Sequence, residues 1–343
     1  MVLIENQEYL CEEEKRLKQD RERTAYWKRW GPYVAERQWA TVREDYSADG
    51  DAWSHFTHDM ARSRAFRWGE DGIAGVSDSH GYQNIAFAFW NEKDDFLKER
   101  LFGLSNPQGN HGESLKEAHF HLDNTPTRKF PYEDLIKTNA KRTRLEKEYN
   151  IVDTGIFDDD RYWDIFIETA KEADDAEELL FRVTAYNRGP EPAPLHIVPH
   201  VWFRNTWAWG REEAKKKPSI AQVSDTTAQS KHHKLGDRYF QLSPSPGTGS
   251  SGDDVQPQLL FTDNDTNYKG LWNVKNKTPY VKDGIHRRIV DDEKDAVNPQ
   301  NVGTKCAAWY AFDEDEGVQP GECAVVRFRF SRRNDGYLDE ELF

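Results

Sequence analysis

Hydrophobic and polar positions alternate with a period of two through much of the chain. In Ala324-Val-Val-Arg-Phe-Arg-Phe330, the side chains of Val326, Phe328 and Phe330 fall on one face, and Arg327 and Arg329 on the other. That is the pattern of a half-buried antiparallel strand. Short ring-rich or β-branched segments of the same kind lie at 85–90, 118–122, 163–168, 180–186, 195–198, 259–261 and 307–312. Turn clusters separate them, such as Asn187-Arg-Gly-Pro190 and the Ser-, Pro- and Gly-rich stretch 243–252, and the segment 242–257 around the latter reads as a disordered loop. Regular short strands joined by such turns predict an all-β fold, a large antiparallel sandwich.

Two segments break the period. Residues 5–24 carry EEEKRLKQDRER, strong helix formers with opposite charges three and four apart, and predict an exposed N-terminal helix. Trp27 and Trp30 sit three apart on its continuation and would share a face, with Gly31-Pro32 as the stop. A shorter helix is predicted over 131–148, where Pro131 suits a first helical position. The organisation is then a helical segment over 1–37, a sandwich over 38–334 and a tail or linker start over 335–343.

Composition narrows the function. Rings make 13% of the chain, which excludes intrinsic disorder. No window approaches the roughly 20 apolar residues of a spanning helix, so no membrane partner is expected. The formal charge of -14 disfavours nucleic acid and points to a neutral, polar ligand. Cys11, Cys306 and Cys323 are too few and too scattered for a disulfide framework; they read as reduced thiols in a cytoplasmic protein.

Three stretches could carry chemistry. In Arg67-Trp-Gly-Glu-Asp-Gly72, Glu70 and Asp71 beside Trp68 are what a sugar site uses, carboxylates for hydroxyls and a ring for the apolar face; the spacing alone fits better a tight turn whose acids cap backbone amides. In the loop 105–117, glycines bracket Asn110-His111, and Glu113 follows; amide, imidazole and carboxylate could contact sugar hydroxyls, or form an ordinary Asx connection. In Val201-Trp-Phe-Arg-Asn-Thr-Trp-Ala-Trp-Gly210, Trp207 and Trp209 share a face if extended, just after Arg204 and Asn205; this suits a pyranose platform or a core strand. No metal is expected: His55, His58 and Asp59 lack a further ligand at a usual spacing, and His119 with His121 or His232 with His233 fare no better. No cofactor motif occurs, neither a P-loop nor a dinucleotide fingerprint nor a nucleophile elbow.

Taken in order, several phrases resemble one family. Trp30-Gly-Pro-Tyr33, Glu36-Arg-Gln-Trp39, Arg67-Trp-Gly-Glu-Asp-Gly72, Asn110-His-Gly-Glu113, Phe157-Asp-Asp-Asp-Arg-Tyr162, Trp202-Phe-Arg-Asn-Thr-Trp207, Lys282-Asp-Gly-Ile285 and Asp295-Ala-Val-Asn-Pro299 look like the N-terminal region of microbial and fungal glycoside hydrolase family 63, the α-glucosidase-like group. The chain departs from the family at His286, where an Asn is usual, and between Thr127 and Phe130, where a longer insertion is usual. The resemblance implies a super-β-sandwich that precedes an (α/α)6 barrel, with the acid and base both on the barrel. It therefore assigns no catalytic residue to this chain.

The expected function is a non-catalytic sandwich that supports such a barrel and lends a sugar-contacting loop. Inverting α-glucosidase activity is expected only in combination with the barrel. The alternative is a stand-alone carbohydrate-binding or protein-docking module. A third reading has Glu70, Asp71 and Glu113 act on a sugar as acid and base. The expected partners are a carbohydrate, an (α/α)6 catalytic domain or partner chain, and a second copy of the protein.

Overall fold

The computed structural model describes residues 10–33, 48, 58–69, 71–99, 124–147, 149–210, 216–247, 253–313 and 317–335. Its strands, in chain order, are β1 (Trp30–Gly31), β2 (Ile73–Asp78), β3 (Gln83–Trp90), β4 (Asn124–Pro126), β5 (Tyr162–Lys171), β6 (Leu179–Asn187) and β7 (Leu195–Phe203). They continue as β8 (Ser219–Ser224), β9 (Thr227–His232), β10 (Gly236–Leu242), β11 (Gln258–Thr262), β12 (Val302–Gly303), β13 (Lys305–Phe312) and β14 (Cys323–Ser331). Among the described residues, one sheet has six strands in the order β1-β2-β3-β7-β13-β11 and the other has eight, in the order β12-β8-β9-β10-β14-β6-β5-β4. Neighbouring strands run antiparallel, for example Phe87↔Pro199 and Phe328↔Phe181. The fold is all-β, two facing antiparallel sheets with few helices.

The alternating faces of the strands make the core. Ile85, Phe87 and Phe89 of β3 meet Phe181 and Val183 of β6 and Val326, Phe328 and Phe330 of β14. Phe181 and Phe328 stack at 4.5 Å between centroids, and Phe87 of the opposite sheet lies 5.8 Å from Phe328. β14 follows its sequence pattern until Arg329. That residue falls on the polar face yet is 2% exposed, because Glu178, itself buried, pairs with it at 2.8 Å.

The six-stranded sheet is covered on both sides. Every residue of β7 is buried. Its second face carries Ala88, Val198, Leu260 and Ala307, and a short helix that includes Ile285 and Ile289 lies over them. In chain order the helices are α1 (Glu12–Glu22), α2 (His58–Ser63), α3 (Tyr132–Asn139), α4 (Tyr268–Trp272) and α5 (Gly284–Ile289). The loops between them, laid on this second face, build the candidate site.

Several local expectations change. α1 stops at Glu22, closed by Arg23 at φ 59 with its N–H on Asp20 O; residues 5–9 lie outside the described residues. α1 buries no side chain, so nothing extends it beyond its own charge pairs. Trp27 and Trp30 consequently share no helix face. Trp30 is in β1, opposite Asp78, with its ring edge-on to Phe330, whereas Trp27 donates its indole N–H to Gln19 at 2.7 Å. β1 lies within 1–37 and still joins the sheet. α3 covers only Tyr132–Asn139 of the predicted 131–148. The predicted strand 118–122 lies outside the described residues. The predicted disordered loop 242–257 is partly ordered: Leu242 ends β10 and Ser245 bridges to Val255, while 248–252 lie outside the described residues. Cys306 and Cys323 belong to different sheets, and all three cysteines are free. No helix among the described residues is long and apolar enough to cross a membrane.

Candidate functional site

The end of β7 runs directly into the ring-rich stretch. Trp207–Trp209 form one 3-10 turn rather than a strand, closed by Gly210 at φ 71. Asn205 shapes it: its Oδ1 accepts the Ala208 N–H at 3.2 Å, while its Nδ2 donates to Asn264 O at 2.9 Å and to Asp265 Oδ1 at 2.6 Å. The turn separates the two rings that were expected to share a face. Trp207 is half-buried against the core and donates to Asp265 Oδ1 at 3.2 Å. Trp209 is 40% exposed.

Arg204 ties the third predicted stretch to the first. Its guanidinium lies 4.8 Å from the Trp68 ring centre and 4.9 Å from that of Trp209, and its Nε donates to Arg67 O at 3.0 Å. A planar, delocalised cation suits two aromatic faces at once. Gly69 permits this approach: it has φ +88, and a Cβ there would lie 3.1 Å from Arg204 Cβ.

Beside this stack lies an open cavity of about 360 Å³. Trp209 and Tyr268 supply exposed rings, and Asn205, Asp265 and Thr266 supply polar groups. Arg64, Arg67 and Lys277 complete the charged lining. Thr266 Oγ1 accepts the Ala65 N–H at 3.0 Å, which joins the two loops that wall the cavity. Asp265 Oδ1 takes both the Asn205 amide and the Trp207 indole, which leaves Oδ2 with no donor among the described residues.

Arg204, Asn205 and Trp209 thus converge with the Arg67-Trp68 phrase, whereas Asp71 does not. It is 6% exposed and pairs with Lys282 Nζ at 2.6 Å. Lys282 also donates to Ala61 O at 3.0 Å and Arg64 O at 2.9 Å and sits over the Phe66 ring. This is a buried anchor for the loop 61–72, and the carboxylate of Asp71 is not at the cavity. Gly72 belongs to the same anchor: at φ +90, a Cβ would come within 2.5 Å of Ala86 Cβ, so its backbone lies flat on the sheet. Glu70, Asn110, His111 and Glu113 lie outside the described residues.

Sequence reasoning missed Asp265, Tyr268 and Lys277. The polar run Asp263-Asn-Asp-Thr-Asn267 directly after β11, followed by Tyr268 and Trp272 four apart, was the available signal. Those two rings, both exposed, lie 5.6 Å apart on α4.

A second polar cluster lies under the loops. His200, Asp71, Glu99, Asn264 and Lys305 line a space of about 10 Å³, about one water molecule. His200 is 4% exposed and its Nε2 has no hydrogen-bond partner among the described residues. Burial, with the Lys305 ammonium adding to it, pushes its pKa down to about 3. The unfolded chain therefore binds a proton below about pH 6.5 that the folded chain refuses. Stability should fall as pH drops from about 6.5 towards 3, by up to ~1.4 kcal/mol per pH unit from this residue. His200→Gln should flatten the dependence between pH 6.5 and 5 in urea titrations, above the range where ordinary carboxylates titrate; an unchanged slope would remove His200 as its source.

Glu92, His196 and Asp313 bring potential ligand atoms within 4.8 Å of one another, a grouping the sequence did not suggest. The hydrogen bonds argue against a cation there. Trp309 donates its indole N–H to His196 Nδ1 at 2.7 Å, and an indole can only donate. The imidazole proton is then on Nε2, which donates to Glu92 Oε1 at 2.8 Å and holds that carboxyl below its usual pKa. A nitrogen that donates has no lone pair for a metal. Trp90 and Trp309 flank the ring, so the arrangement is a fixed Trp–His–Glu chain.

The fold and site define a β-sandwich protein with a ring-rimmed polar cavity at the edge of one sheet's outer layer. No family model matches the chain. An uncharacterized protein of Saccharomyces cerevisiae, YMR196W, is 43% identical to it over 373 aligned residues, covering 96% of this chain and 34% of the yeast protein. The chain therefore spans about a third of the length of the curated relative it matches.

Proposed function

We propose that this chain is the non-catalytic sandwich portion of a larger glycoside hydrolase of the family-63 type, and that it binds carbohydrate in the cavity between Trp209 and Tyr268. The observation that carries the reading is the Trp68–Arg204–Trp209 stack. Two exposed indoles pack against one guanidinium beside a cavity whose lining includes amide, hydroxyl and carboxylate groups. A pyranose has an apolar face and an equatorial ring of hydroxyls, and such rings and polar groups match both. The yeast relative extends well beyond the aligned region, which supports a sandwich joined to further domains. The motif resemblance supplies the identity of the neighbour, an (α/α)6 barrel that would carry the acid and base. The free thiols agree with a reducing, cytoplasmic setting.

The test is a glycan-binding screen followed by titration calorimetry. Trp209→Ala should weaken binding by about tenfold or more, as expected when one stacking ring is lost. The isolated chain should not hydrolyse aryl α-glucosides. Binding that Trp209→Ala leaves intact would end the assignment of this cavity.

A further inference from the structure

We propose that the ligand of this cavity is an anionic sugar, bearing a carboxylate or a phosphate, rather than a neutral glucoside; the inference rests on the carbohydrate reading above and sharpens it. Sequence composition pointed to a neutral ligand because the chain as a whole carries a formal charge of -14. Among the described lining residues the balance has the opposite sign. Arg64, Arg67 and Lys277 surround the space, and Asp265 is the one carboxylate among the described lining residues. That carboxylate is half committed, because its Oδ1 is held by Asn205 and Trp207.

The cations come from two walls. Arg64 and Arg67 belong to the loop after α2, and Lys277 to the loop after α4; the bond from Ala65 N–H to Thr266 Oγ1 holds the walls together. Lys277 makes no ion pair with any described residue. A concave site whose lining carries an excess of one sign of charge concentrates the local field, and in an acidic protein such a site lets an anion approach. Trp209 and Tyr268 would hold the sugar ring at the rim, and the basic groups would take its charged substituent inside.

Calorimetry at low salt with three matched probes tests this: methyl α-D-glucopyranoside, methyl α-D-glucopyranosiduronate and D-glucose 6-phosphate. The two anionic probes should bind about tenfold tighter than the neutral one, as a few partly exposed charge contacts provide. The advantage should shrink as salt rises. Lys277→Ala and Arg67→Gln should each reduce it severalfold by weakening the anionic probes more than the neutral one, while Trp209→Ala should weaken all three. The relative strength of the two anionic arms identifies the preferred group. Equal affinity for neutral and anionic probes would overturn the anionic inference alone. Binding of inorganic phosphate as tight as that of the sugar phosphate would show a plain anion site and overturn it too. Absence of binding by all three probes would overturn both it and the carbohydrate reading.

Discussion

Replacing Asp71 with alanine is expected to destabilise the fold by about 3–5 kcal/mol, the usual consequence of removing one partner from a buried ion pair. The carboxylate and Lys282 Nζ are 2.6 Å apart with side chains 8% and 2% exposed, so neither charge is solvated once the other is gone. Lys282 would keep the Ala61 and Arg64 carbonyls, which soften the loss without supplying a counter-charge. The measurement is the midpoint of urea unfolding at unchanged slope. A double replacement, Asp71→Leu with Lys282→Met, should recover much of the loss, because two apolar side chains leave no stranded charge. If Asp71→Ala instead left the midpoint within about 0.5 kcal/mol of wild type and abolished sugar binding, Asp71 would be a ligand contact rather than an anchor.

The second large effect concerns the core. Phe328→Ala should destabilise by about 3–5 kcal/mol, the range for deleting a buried ring. Its ring lies against Phe181 and Phe240 of its own sheet and Phe87 of the other, and it is fully buried. Phe166 is the control. It lies on the outer face of the eight-stranded sheet at 49% exposure, with an edge contact to Tyr186. Its replacement by alanine should change stability by less than about 1 kcal/mol. A similar effect at both positions would contradict two sheets that face each other across Phe328.

Short-range patterns were legible wherever one residue's environment follows from its neighbours. The alternation in 324–330 gave the inward ring face of β14, and the ring-rich segments at 85–90 and 195–198 gave β3 and β7. Arg204, Asn205 and Trp209 were legible as candidates, because polar donors beside exposed rings have few structural uses. Two readings from the same logic failed. Trp207 and Trp209 part company because the Asn205 amide, bonded across to Asn264 and Asp265, folds 207–209 into a turn. Asp71 looked like Glu70's companion at a sugar site, yet its partner is Lys282, a residue 211 positions away (282 − 71) that no local pattern could supply.

The sequence by itself determined that this protein is built from antiparallel strands, because side-chain alternation is a property of the chain alone. It also marked which segments hold polar groups and rings without a packing reason. Only the tertiary structure decided which of those segments meet. The loop after α2, the end of β7 and the loop after β11 converge because β7 and β11 both flank β13 in one sheet, whose outer face carries all three. The sign of the cavity's charge was decided the same way: net charge adds over all residues, whereas a ligand experiences those few that folding places within a Debye length of it.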